Sequence, residues 1–583
     1  MISILIGLVA CVQAAVPTPP AGASAEPPFD VRRAEHLLGR AGFGVNTAEV
    51  NAAAERGLRH TLRLLLEPVA RAVVPFEPEN FAYSGTLGAQ RLPPAEAESG
   101  AEPGDQGEMG EAEESDADAA EEARAAERRK LQAQLRRDDA AQLAEYTAEW
   151  LAGMVRGDDP LRDRMTLFWH GHFTSSMQDV RSSHAMIRQH QLLRAGALGS
   201  FRDLLTGILR DPAMLVYLDN HRNRRGNPNE NLARELFELF TLGEGHFTED
   251  DVKEAARALT GRAAFRGEYV FTPRRHDNGQ KTILGKTGRF DGDDLVEILL
   301  DHPRTALTIA EELLTWFEGV APTPDRVARY AAQLRASDWQ ITPLLATLFE
   351  DPDFYRDDVR GARVAGPLDF LVGAARRLGV EPPDRALDLG ARNLGERLFF
   401  PPSVKGWDGG ETWITTSSLL ARGNLAGMLT GSIGIAELLG ADLEADSMEA
   451  ESVDGNEAPR RPRARRAPRL GNPELRELAG RDQGLRELGR MGRSGWNPKL
   501  DLAQRLDAAK ATTDAAAIEV LMEDLLAIPP PAETRAELIG FLAEQRAEFS
   551  VPEDRLASWG ADGEQLLRRM AHRILSLPEA QLH

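Results

Sequence analysis

The sequence predicts a mainly α protein: a multi-helix globular body with at most a short β-hairpin, interrupted by disordered charged inserts. Three observations carry this. Apolar residues recur at helical spacing through most segments. Capping residues and glycines punctuate those runs at the places where helices start and stop. Strand-like composition is confined to one stretch, Ala263 to Gly288, where β-branched and aromatic residues mix with Gly and Pro and predict either a short hairpin or an irregular loop.

Taken in order, residues 1–15 read as a leader. Ile2 to Ala10 is a mostly apolar run too short to span a bilayer, as in a secretory signal. Cys11, the only cysteine, follows Leu8-Val9-Ala10 in a pattern resembling a bacterial lipobox. Two outcomes follow: lipidation of Cys11, or cleavage after Ala14 or Ala15. Both make the protein exported, to the periplasm, the outer membrane or the medium, with membrane attachment only through a lipid on Cys11. Without a cysteine pair, neither disulfides nor thiolate metal sites contribute. Residues 16–28 are a Pro/Ala spacer.

Residues 29–90 form the N-terminal helical part of the body, with Leu37, Leu38, Leu58, Leu62 and Leu65 in register around a Gly42-Phe43-Gly44 turn. Residues 91–123 are an acidic insert. It holds twelve Asp or Glu and no Lys or Arg between Arg91 and Arg124, over half of the net charge of −22, and has too few large apolar groups to offset the entropy of ordering. The main body, 124–440, is helical and carries the polar motifs. Residues 441–495 are a polyampholyte linker containing RRPRARRAPR, and 496–583 are helical again. The overall acidity argues against nucleic acid as a partner.

The densest motif is Asn227 to Gly261. Leu232, Leu236, Leu239 and Phe240 mark one helix with Asn229 as cap and Gly243 as stop; Thr248 with Asp251 caps a second that ends at Gly261. Glu230, Arg234 and Glu238 follow at i, i+4, i+8 beside Glu235, either a solvated salt-bridge face or the wall of a polar site. His170-Gly171-His172 shares a metal if the segment is extended, whereas on a helix the two rings diverge and are satisfied within the Phe168, Trp169, Phe173 cluster. His276, Asp277 and Lys281 place an imidazole, a carboxylate and an ammonium in one loop, suited to acid–base work or metal ligation, or else to an Asx turn. His302, beside Pro303, reads as a structural helix start. Lys405, Trp407 and Trp413, in PPSVKGWDGGETW, offer a stacking surface for carbohydrate or peptide, or pin the loop to the body.

Two apparent motifs are decoys. Gly279 to Thr287 has five residues between its glycines where a P-loop has four, and the Asp219 region lacks the carboxylate run of a calcium loop. Serine-hydrolase elbows and His-Glu-x-x-His helices do not occur in the sequence.

The order of AEHLLGRAGFG, MTLFWHGHF, NPNENLARELFELFTLG, DVKEAARALTG, HDNGQKTILG, HPRTA, PPSVKGWDGGETW and LSLPEAQ resembles the large bacterial family catalogued as domain of unknown function 1800. The resemblance runs from about Val31 to the C-terminus, apart from the acidic insert and the linker. It implies an exported protein, often encoded beside a second exported family (number 1501) that resembles sulfatases and alkaline phosphatases, and it supplies no catalytic residues.

Two functional readings follow. In the first, the polar motifs converge on one pocket of a hydrolase or metal-dependent enzyme: Glu230, Arg234, Glu235, Asp277 and Lys281 do the chemistry, and His170, His172 and His276 hold a divalent metal. In the second, a non-enzymatic envelope protein binds a neighbouring exported protein or a cell-surface polymer through Lys405, Trp407 and Trp413.

Overall fold

The computed structural model describes residues 28–67, 111–265, 267–383, 385–433 and 496–583. The leader, residues 16–27 of the spacer, the linker over 441–495 and residues 91–110 of the acidic insert lie outside the described residues. The fold is helical throughout, with two small antiparallel hairpins in the stretch where strand composition concentrates. In the first, β1 (Arg262–Phe265) pairs with β2 (Glu268–Phe271), Arg262 opposite Phe271; in the second, β3 (Lys281–Ile283) pairs with β4 (Lys286–Gly288).

The helices that position the site are labelled here in chain order. The first, α1, runs from Glu111 to Arg156 and so begins inside the segment where the sequence predicts disorder. The reason is propensity: a run of Ala and Glu cannot build a core, yet these are among the strongest helix formers, and acidic residues suit a helix N-terminus. Its C-terminal turns carry Trp150, Leu151 and Met154 into the interior. Next, α2 (Pro160–His172) starts with Pro at its first position and is buried along nearly its whole length.

Both helices of the densest motif form, the first with Glu230 rather than Asn229 at its N-cap position. In α3 (Asn231–Glu238), Asn229 Oδ1 accepts from Asn231 N–H at 2.9 Å, and Gly243 (φ 80°) ends the following turn by donating to Phe237 O. In α4 (Glu249–Ala258), Thr248 and Asp251 make a reciprocal capping box. Further on come α5 (Pro303–Glu318), capped by the His302 ring accepting from Arg304 N–H, α6 (Pro367–Leu378) and α7 (Thr416–Thr430).

Among the described residues, beside a small cluster of Ala34, Val45, Val50 and Ala53, two large hydrophobic cores fill most of the interior. One gathers Met165, Phe168 and Trp169 of α2 with Leu232, Leu236 and Phe237 of α3 and Leu313 of α5; the other gathers Trp150 of α1 and Leu167 of α2 with Leu368 and Leu371 of α6 and Leu425 of α7. Adjacent residues of α2 therefore belong to different cores, and Trp316 packs against both. A close backbone approach locks the N-terminal part against α6. A Cβ on Gly44 (φ +77°) would lie 2.8 Å from Gly373 Cα, so only glycine fits.

Candidate functional site

A cleft of about 810 Å³ opens where the two cores meet, a volume within the range of small-ligand sites. The C-terminal end of α2 supplies His172, α5 supplies Glu311, Glu312 and Trp316, and Glu238 at the end of α3 lies on the rim. The remaining walls are the segment before α6, Glu396, and the loop from Val404 to Trp413. That loop can cross the end of α2 because residue 406 is glycine. Its φ is +82°, and a Cβ there would meet Gly171 O at 2.7 Å. The crossing sets Trp407 over α2, with its ring 5.8 Å from that of His170, and Trp413 over Gly395 and Gly366. Trp316, Trp407 and Trp413 are all half-buried.

The cleft floor is a buried ion cluster. Asp369, third residue of α6 and in an otherwise apolar run, accepts from Gly366 N–H at 3.1 Å, from Arg363 Nη2 at 2.9 Å, and from Arg164 of α2. Burial opposes its charge, but Arg164 and Arg363 outweigh burial and hold the carboxyl well below the usual carboxylate range. Burial lowers Arg164 to about 10, which leaves it charged at neutral pH; its Nε also donates to Gly42 O at 2.9 Å. Arg363 stacks its guanidinium 4.6 Å from the Trp316 ring centroid.

Beside this charge sits Glu396, 7% exposed, whose Oε2 accepts from Leu368 N–H at 3.0 Å. Burial, with Asp369 adding to it and the Leu368 hydrogen bond opposing it, pushes its carboxyl up to about 7. A Cβ on Gly366 would lie 3.4 Å from Asp369 Oδ2 and 3.7 Å from both Glu396 Oε2 and Trp413 Nε1, which puts the two carboxylate oxygens within about 7 Å of each other. Two carboxyls with opposite shifts thus share the floor of one cleft. Elsewhere in the lining, His172 Nδ1 lies 2.8 Å from Glu312 Oε2 and Nε2 lies 3.2 Å from Phe240 O. Both ring nitrogens thus lie within hydrogen-bond reach of an oxygen. The Glu312 side chain keeps 36% of its surface open.

A family model described as "Protein of unknown function (DUF1800)" matches residues 36–582, nearly the whole chain. The chain belongs to the DUF1800 family. No curated protein and no solved structure matches it.

In this DUF1800 protein the polar motifs do not converge as the enzyme reading expects. Of its proposed residues only His172 lines the cleft, together with Lys405, Trp407 and Trp413. The metal roles of His170, His172 and His276 find no geometry: among the described residues no three His, Cys, Asp or Glu are grouped to hold a metal ion. The physical reason is that α2 continues through both His170 and His172, so the rings diverge. His170 is buried, accepts from Phe399 N–H at 3.1 Å, and is pushed by burial down to about 4. His276 hydrogen-bonds Thr260 O at 2.9 Å and packs on Phe271.

Asp277 and Lys281 are held in an Asx-type loop away from the cleft lining. Asp277 accepts from Gly279 N–H at 2.8 Å and from Arg257 Nε at 2.8 Å, whose hydrogen bond helps lower it to about 2. Lys281 is 1% exposed and spends its ammonium on Asp277 O and Gly279 O. Glu230 and Arg234 belong to a surface ladder, with Arg234 3.4 Å from Glu230 and 2.7 Å from Glu249. Glu235 is half-buried, and burial raises its pKa, but it lies outside the cleft lining. Lys405 pairs with Asp408 at 3.3 Å on the rim.

Sequence reasoning missed Arg164, Glu312, Arg363, Asp369 and Glu396. A signal existed for Asp369, a carboxylate inside the apolar run from Pro367 to Val372, and for Arg164 within a helix of large apolar residues. Glu396 stands in no motif, and only the fold brings it to Asp369.

Proposed function

We propose that this DUF1800 protein is a hydrolase whose cleft works by general acid–base catalysis. The observation that carries the reading is Glu396, a buried carboxyl shifted to about 7 in the floor of the 810 Å³ cleft. At neutral pH about half of the Glu396 population holds a proton to give to a leaving oxygen, and the ionised Asp369 beside it adds to the rise that burial causes. Glu312, held by His172 and partly open to the cleft, is the group assigned to take a proton from an attacking water. The scissile bond breaks as the water oxygen bonds to the electrophilic centre. The leaving oxygen takes the Glu396 proton, the water proton passes to Glu312, and one water is consumed. Export, with or without a lipid on Cys11, is part of the proposal, and cell fractionation tests it.

The test is hydrolysis of a panel of nitrophenyl esters, phosphates and glycosides by the purified protein and by Glu396→Gln. Loss of a proton donor should lower kcat by about 10²–10⁴-fold and remove the pH limb near 7. Equal rates for the two proteins, or no limb near 7, overturn the assignment. The Trp-bearing loop supports a second reading, an envelope protein that binds a polymer or a neighbouring exported protein without turnover. That reading predicts ligand retention by both proteins and product from neither.

A further inference from the structure

We propose that the cleft takes a chain of sugar rings free of acidic groups, with amine-bearing rings preferred. This rests on the same site as the hydrolase reading but does not require its chemistry. Trp316, Trp407 and Trp413 present half-buried indoles along one cleft, and Trp413 Nε1 and Glu396 Oε2 lie at the same 3.7 Å from a point over Gly366. A sugar ring has an apolar C–H face and a hydroxyl edge. The first stacks on an indole and the second bonds to a carboxyl beside it, which is the pairing found here.

A peptide that binds by adding a strand has no edge to join, since among the described residues the cleft lining comes from helices and loops, with both hairpins elsewhere. A peptide laid on the indoles is the competing occupant, and the peptide probe below decides against it or for it.

Charge selects among glycans. Each basic side chain on the wall already has an acidic partner: Arg304 with Glu311 at 3.4 Å, Lys405 with Asp408 at 3.3 Å, and Arg363 with Asp369 at 2.9 Å. Glu238 and Glu411 add two more carboxylates to the lining. A uronate or sulfate group entering the cleft has to break one of those pairs and face the remaining acids, whereas an ammonium group finds acceptors.

The experiment is binding, read by tryptophan fluorescence and calorimetry, on the wild-type protein, with release of reducing ends followed in the same samples. The probes are glucosamine, glucose and uronic-acid oligomers of equal length, and a Lys-containing peptide of similar size. We expect affinity in the order glucosamine, glucose, uronate. Trp413→Ala should weaken glucosamine binding by about two- to tenfold, consistent with loss of one aromatic stacking contact. Uronates binding as tightly as glucosamine oligomers, the peptide binding more tightly than both, or Trp413→Ala binding unchanged each overturns the proposal. Binding in the expected order by a wild-type protein that releases no reducing ends leaves this inference standing and defeats the hydrolase reading alone. Hydrolysis of a non-glycan probe without glycan binding does the reverse.

Discussion

Replacing Glu396 by Gln should change how stability depends on pH in a way that isolates this one carboxyl. The folded-state value of about 7 lies above the ordinary 4.5, so the folded protein holds the proton more tightly than the unfolded chain does. The stabilisation from that proton is fully present below about 4.5 and is lost as pH rises through about 7. With 1.36 kcal/mol per pKa unit, the loss is about 3 kcal/mol across the window. Gln is permanently neutral and keeps an oxygen to accept from Leu368 N–H, so the variant loses no stability over the same range from this position. Urea denaturation of both proteins from about pH 4.5 to about pH 8.5 gives the difference directly. Asp211, which burial raises to about 7, and Asp163, which burial raises to about 6, titrate in both proteins and cancel. The variant should gain on the wild type by about 3 kcal/mol between the ends of the range. A difference that stays flat would refute the placement of a protonated Glu396 beside an ionised Asp369.

Other substitutions probe the surroundings. Asp369→Asn leaves Arg164 and Arg363 buried without their anion and should cost about 3–5 kcal/mol by denaturation. It should also move the Glu396 titration downward, because Asp369 is one of the causes of its rise. Gly406→Ala forces a Cβ against Gly171 O at positive φ; a loss of about 1–3 kcal/mol, with a shifted tryptophan emission from the displaced loop, is expected. Arg234→Ala removes a surface ladder only, and the denaturation midpoint should stay where it was.

How much of this was legible in the sequence depends on whether the signal was local. Thr248 and Asp251 cap α4, His302 caps α5 and Gly243 adopts a left-handed turn, because each needs only neighbours a few residues away. The Asn227 to Gly261 stretch was therefore read correctly as two helices. Its polar stripe was not assignable, since whether Glu230 and Arg234 face water or a cleft depends on what packs over α3. Glu238, one turn on, does reach the cleft. Disorder was over-extended at Glu111, where composition shows the lack of a core but not the helix propensity of Ala and Glu. The candidate site was legible in its segments and not in its residues: the Trp loop and the α2 aromatic run were found, while Glu396 and Arg363 carry no local pattern. Their meaning comes from partners far away in the chain, as with Arg164 and Asp369, 205 positions apart.

The arrangement of the ion cluster also decides which experiments can speak about function. Asp369 closes the N-terminus of α6 by accepting from Gly366 N–H, ties α6 to α2 through Arg164, and holds the charge that raises Glu396. One side chain thus joins the two cores and adds to the proton affinity that burial gives Glu396. Changing it alters fold and chemistry together, so an inactive Asp369 variant says nothing about which was lost. Glu396 and Trp413 are different. Each lines the cleft and can be changed with the Arg164–Asp369–Arg363 cluster intact, Glu396 by an isosteric amide and Trp413 on a partly exposed loop. A change in activity or binding at these two positions, with the denaturation midpoint near that of the wild type at neutral pH, therefore reports on the site itself.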